Sequence, residues 1–93
     1  SMGTGAPVTG PTEPPVPTID PELKTKIVKI GLPEDILEDY VLSVWLDGEM
    51  IQEREIPVGT ISTEFALSGK GTVTFELRIN NANPWTIEVD FDE

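Results

Sequence analysis

The chain has 93 residues, enough for one small domain, and its 17 Asp and Glu against 6 Lys and Arg leave a formal net charge of -11. That acidity repels a polyphosphate backbone and an anionic bilayer surface, so both are excluded as partners; cationic partners and calcium remain open, and the charge also keeps a small exposed domain soluble. With neither cysteine nor histidine, the chain lacks disulfides, thiolate metal sites, the commonest general base and the commonest transition-metal ligand.

Residues 3–21 read GTGAPVTGPTEPPVPTIDP, rich in Gly, Pro and Thr. Up to Thr18 the only large apolar side chains are Met2, Val8 and Val16. A stretch so poor in backbone donors and apolar surface predicts a disordered, partly polyproline-II tether over residues 1–21, ahead of a folded domain over 22–93. Pro11-Thr12-Glu13-Pro14 and Pro14-Pro15-Val16-Pro17 match the PxxP pattern of proline-binding domains, without the flanking Arg or Lys that such ligands use. Ser1-Met2 reads as a protease-cleavage scar before an introduced start, so the chain is expected to be an excised piece whose targeting and membrane segments lie elsewhere. No apolar run approaches the roughly 18 residues that span a bilayer, and no signal peptide is recognisable.

Lys24 to Leu32 opens the folded part, with Val28, Ile30 and Leu32 alternating with Lys29 and Gly31 at the period of a half-buried strand. Pro33 to Asp39 is an acidic connector with room for one helical turn started by Pro33. Tyr40 to Ile56 predicts a hairpin turned by Asp47-Gly48, a pair suited to a type I′ turn. A two-residue loop there sets Leu46 against Glu49, Trp45 against Met50 and Val44 against Ile51, with apolar groups on both faces. The last thirty or so residues predict a meander. A loop at Gly69-Lys70-Gly71 would pair Leu67 with Val73 and Phe65 with Phe75. A loop from Asn80 to Pro84 would pair Ile79 with Trp85, Leu77 with Ile87, Phe75 with Val89 and Val73 with Phe91. The expected fold is all-β, a small sandwich of about six strands.

No catalytic constellation emerges. Ser43, Ser62 and Ser68 have no histidine to activate them, and no Gly-x-Ser-x-Gly elbow surrounds any of them. Gly69-Lys70-Gly71 lacks phosphate-loop spacing. Paired carboxylates are the remaining acid–base option, yet nothing in the sequence sets two of them across a cleft. The chain is read as a non-enzyme that needs no cofactor.

For binding, Glu34, Asp35, Glu38 and Asp39 crowd the connector, and Asp90, Asp92 and Glu93 crowd the terminus. These are hard oxygen donors of the kind calcium uses, without EF-hand spacing, so no metal ligand is assigned. Asp90 and Asp92 flank Phe91 in the manner of a strand's polar face. Lys26 and Lys29 on the first strand, with Asn80, Asn81 and Asn83 near the last, supply the residue types of a Lys–Asn isopeptide crosslink, although asparagines also suit a tight turn. Trp45 and Trp85 are the candidate binding residues: exposed on one face they would form a carbohydrate platform, and otherwise they pack.

Together, the Pro/Thr-rich tether, Val44-Trp45-Leu46-Asp47-Gly48-Glu49, Leu67-Ser68-Gly69-Lys70-Gly71-Thr72-Val73 and Trp85-Thr86-Ile87-Glu88-Val89-Asp90-Phe91 resemble a known type of module. They are similar to the fibronectin-III/immunoglobulin-like accessory modules of bacterial cell-surface proteins, nearest to the C-terminal modules of Gram-positive class A penicillin-binding proteins. The likeness covers residues 24–91 and rests on short motifs. The Ser-x-x-Lys, Ser-x-Asn and Lys-Thr-Gly motifs of those enzymes do not occur here. The resemblance implies a monomeric, non-catalytic appendage outside the cell, carried by a membrane-anchored parent, that contacts wall polymer or another envelope protein. The alternative is an adhesive or structural surface domain stabilised by calcium or by the crosslink.

Overall fold

Alternation of apolar and polar side chains shapes nearly every element of the computed structural model, which describes residues 21–93. The expected tether therefore lies outside the described residues, apart from Pro21. Six strands follow in chain order: β1 (Lys24–Gly31), β2 (Tyr40–Leu46), β3 (Glu49–Ile56), β4 (Ser62–Gly69), β5 (Thr72–Ile79) and β6 (Ala82–Asp90). They form two antiparallel sheets, β3-β2-β5-β6 and β1-β4, packed as a small β-sandwich. No helix forms among the described residues, so the turn allowed for at Pro33 is absent and residues 32–39 run as an irregular connector. The core takes Leu42 and Val44 from β2, Phe75 and Leu77 from β5, Phe65 and Leu67 from β4, and Phe91 beyond β6.

The β2–β3 hairpin turns where expected. Asp47 and Gly48 both have positive φ, 51° and 80°, which a type I′ turn requires at both central positions. Trp45 faces Met50 and Leu46 faces Glu49, but the expected Val44–Ile51 pair does not form. A bulge lets Ile51 slip out, Val44 faces Gln52, and Ile51 stays exposed. The reason lies further along β3. An unbroken register would turn Glu53 and Glu55 towards the core. The bulge turns Gln52, Arg54 and Ile56 inward instead, and Ile56 becomes part of the core.

Gln52 and Arg54 then close one open side of the sandwich. The Gln52 amide donates to the Ala66 carbonyl at 2.7 Å, and the Arg54 guanidinium donates to Thr63 Oγ1 at 2.9 Å and to the Glu64 carbonyl. It also stands over the Phe65 ring, 4.3 Å from its centroid. A glutamate has no proton to give these edge carbonyls, whereas Gln and Arg occupy the unpaired edge of β4 and block further strand addition there. On the opposite side, Lys26 Nζ donates to the Asp90 carbonyl at 2.6 Å.

The expected meander is corrected in two places. First, β4 pairs with β1, Val28 facing Phe65 and Lys26 facing Leu67, so Gly69-Lys70-Gly71 carries the chain from one sheet to the other. Phe65 and Leu67 thus belong to the sheet opposite Phe75, and β2 takes the place beside β5, with Leu42 facing Ile79 and Val44 facing Leu77. Second, β5 and β6 are paired two residues away from the expected register: Leu77 faces Trp85, Phe75 faces Ile87 and Val73 faces Val89. The loop tightens to Asn80-Asn81, with φ of 50° and 62°, and Asn83 at φ 51° forms a bulge. An even shift leaves every side chain on its expected face, which is why the apolar pattern alone did not settle it.

Tyr40 enters the core at the start of β2, and its hydroxyl has no hydrogen-bond partner in the protein. Burial pushes its phenol pKa above the ordinary value. The phenol ionises near pH 10 in an unfolded chain and later in the folded one. Its contribution to stability is therefore full below that pH and lost as the pH rises through the folded pKa. Tyr40→Phe is expected to match wild-type stability at neutral pH or exceed it by up to about 1 kcal/mol, and to decline less above about pH 10. Urea midpoints of both proteins at the two pH values test this. A parallel alkaline decline of the two proteins would mean that Tyr40 is not the source of the loss.

Candidate functional site

On the outward face of the four-stranded sheet, Val41, Ser43 and Trp45 alternate with the buried Leu42 and Val44. The Trp45 indole Nε1–H donates to Ser43 Oγ at 2.8 Å, and the Ser43 hydroxyl in turn donates to the Arg78 carbonyl at 3.4 Å. Ser43 is buried, and this pair of bonds satisfies it. From β5, the Arg78 guanidinium lies over the indole, 3.8 Å from its centroid, held by Glu76 and by Asn81 Oδ1 at 3.1 Å. Trp45 is thus fixed in orientation and half-buried. Beside it a shallow depression of about 390 Å³ is lined by Val41, Ser43, Trp45, Met50, Glu53, Asn80 and Asn81. An aromatic surface among amides and a carboxylate can stack a flat apolar face and bond hydroxyls around it.

Trp85 does not share that surface. Trp45 faces Glu76 and Trp85 faces Leu77, adjacent residues of β5, so the two indoles project from opposite faces of the sheet. The platform allowed for on one face is therefore not built. Trp85 packs at the core margin and lines a separate depression of about 390 Å³ with Pro33, Asp35, Ile36, Ile79 and Asn83. It faces Leu77, not Ile79, but packing is still its setting.

A second feature stands at the end of the sandwich where the connector 32–39, the loop 57–61 and the Asn80-Asn81 turn gather. Three hydrogen bonds hold it, two between backbone groups and one to a side chain: Leu32 N to the Ile61 carbonyl at 3.0 Å, Asn80 N to the Val41 carbonyl at 2.8 Å, and Val58 N to Asp39 Oδ1 at 2.8 Å. Asn80 Oδ1 accepts in return from Val41 N at 3.0 Å. Between connector and loop lies a depression of about 240 Å³ lined by Pro33, Ile36, Leu37, Tyr40, Val58 and Ile61, among others. Leu37, Ile61 and Val58 are 84%, 67% and 50% exposed.

The other candidates are dispersed. Among the described residues no three Asp or Glu gather closely enough to hold a metal ion. Asp39 is occupied with Val58 N, and Asp90 Oδ1 accepts from Asp92 N at 2.9 Å. Lys26 engages the Asp90 carbonyl, at the end of β6 remote from the asparagines, while Asn80 and Asn81 serve the turn and Arg78. No helix among the described residues is long and apolar enough to cross a membrane.

Arg78 was not singled out from the sequence, because its relation to Trp45 runs across paired strands; Ser43, two residues from Trp45 on the same strand, was weighed there only as a nucleophile. The exposed loop-end group did leave a signal there: Ile36-Leu37 set between two acidic pairs in a connector too irregular to bury both. Comparison with protein-family models, curated proteins and solved structures gives no match for this chain.

Proposed function

We propose that this chain is a non-catalytic extracellular accessory module of a bacterial cell-envelope protein, acting as a monomer in binding or spacing at the cell wall. The observation that carries the reading is the Trp45 surface. Arg78 and Ser43 hold a half-buried indole in one orientation beside a shallow, amide-bearing depression on the outward sheet face. A preset aromatic loses little rotamer freedom when a ligand stacks on it, which suits weak recognition of a repeating polymer. Strand-borne side chains that alternate charge and hydroxyl around it, such as Thr74, Glu76 and Thr86, suit solvent contact along a wall polymer.

Soluble peptidoglycan fragments titrated into the protein, followed by backbone amide shifts, test the reading. Shifts are expected in residues 41–53 and 76–81. Trp45→Ala is expected to weaken binding about tenfold, the worth of one stacked aromatic contact, while Trp85→Phe leaves it unchanged. Fragments that shift no amide near Trp45, or that bind the Ala variant equally well, would overturn a polymer-binding role for this surface.

A further inference from the structure

The apolar group at the loop end has no role in the core and none in the Trp45 surface. Leu37, Val58 and Ile61 project into solvent around one depression, from two segments tied together by Asp39 and by the Leu32–Ile61 bond. Exposed apolar side chains scattered singly need no explanation, but three converging on one dent mark a contact site. The dent, about 240 Å³ with the buried Tyr40 among its lining residues, is below the usual range for a small-molecule pocket and large enough to seat one apolar side chain. A central seat ringed by exposed aliphatics is the geometry of an anchor residue in a protein contact.

Charge decides the kind of partner. The connector carries Glu34, Asp35, Glu38 and Asp39, all exposed, and neither it nor the loop 57–61 contains a Lys or Arg. The whole chain adds its net charge of -11 to the same field. A second copy docking here would bring the same carboxylates against one another, and an acidic segment would meet the same repulsion. We infer that this end of the sandwich receives a cationic polypeptide segment, one apolar side chain seated between Leu37, Val58 and Ile61 and flanking Lys or Arg set against the connector carboxylates. This deepens the binding reading by assigning a protein contact to a surface that does not include Trp45.

The test uses a synthetic Lys-rich peptide with one central Leu, the same peptide with Ser in place of Leu, and a Glu-rich counterpart, each titrated into the full chain while amide shifts are recorded. The Lys/Leu peptide is expected to shift residues 34–40 and 57–61. The Ser peptide and a Leu37→Ser variant should each bind roughly tenfold more weakly, the Glu peptide should not bind, and added salt should weaken the complex. Leu37 and Ile61 are exposed, so Leu37→Ser and Ile61→Ser leave the core intact. Trp45→Ala is expected to leave this titration unchanged, so a failure here and a failure of polymer binding are told apart. Equal affinity for the Leu and Ser peptides, shifts spread over the whole acidic surface, or self-association abolished by Leu37→Ser would each overturn the inference.

Discussion

Phe75→Ala is expected to lower the stability of the domain by about 3–5 kcal/mol, the usual range for deleting a core aromatic. Phe75 is fully buried in the middle of β5, a central strand flanked by β2 and β6, and its ring meets that of Phe91 edge to face, centroids 6.2 Å apart and planes at 74°. Truncation removes the transfer energy of the ring and this aromatic contact together. It also leaves a cavity that paired strands on both sides cannot collapse to fill. A small domain has roughly 0.05–0.15 kcal/mol of stability per residue, so the loss is of the order of the whole. The neighbouring Thr74 is exposed, and Thr74→Ala should stay within about 0.5 kcal/mol of wild type. Urea denaturation of the two variants measures the difference. An unchanged midpoint for Phe75→Ala would mean that β5 is not the strand around which the core is built.

Phe75 also marks how far the sequence could be read. Its place in a strand and its inward face follow from alternation with Thr74 and Glu76, and the structure agrees. Its neighbours do not follow. Alternation specifies a face but not a partner, so Phe65 can satisfy the same pattern beside Phe75 in one sheet or opposite it in another. The choice is made by tertiary packing: β2 competes for the same edge of β5, and the Leu42–Ile79 and Val44–Leu77 pairs take it. The register of β6 escaped for a related reason, since a two-residue shift changes every pair without exposing one apolar side chain. Only Asn80, Asn81 and Asn83, all at positive φ, distinguish the tight turn from a longer loop. The β3 bulge is legible in retrospect from Glu53 and Glu55, which a straight hairpin would have buried.

The site was less legible than the fold because it is made across strands. Trp45 stood out as a residue type, but what orients it comes from Arg78, thirty-three positions along the chain and one strand over. Pairing Trp45 with Trp85 needed the β2–β5 and β5–β6 registers together, and those registers place the two on opposite faces. The loop-end group depends on two irregular segments whose meeting no periodicity encodes, fixed by Asp39 and by a single backbone bond at Leu32. Strand periodicity thus reports the interior of a sandwich well, and its ends and outer faces poorly.

Gly69→Ala is the second substitution expected to have a large effect, although it adds a single methyl group. Gly69 ends β4, where the chain leaves one sheet for the other, and its backbone passes directly over Phe91. A Cβ at this position would lie 2.6 Å from Phe91 Cε2, 2.9 Å from Cδ2 and 3.0 Å from Val73 Cγ2. None of these atoms is the free end of a flexible chain: Phe91 is buried and locked edge to face on Phe75, and its backbone N–H donates to the Gly71 carbonyl at 2.8 Å. The strain must therefore go into the crossover or into the core, at about 1–3 kcal/mol, the range for overpacking. Gly31→Ala is the control, because nothing lies within 4 Å of a Cβ there; it should be neutral or slightly stabilising. The decisive measurement is a double-mutant cycle with Phe91→Leu, which removes the ring carbons that the new methyl meets. Each single change should destabilise the domain, and the double variant should be more stable than their sum predicts, with a coupling of roughly 0.5–3 kcal/mol. A Gly69→Ala protein as stable as wild type, or a strictly additive cycle, would mean that Phe91 does not fill the space beneath the crossover.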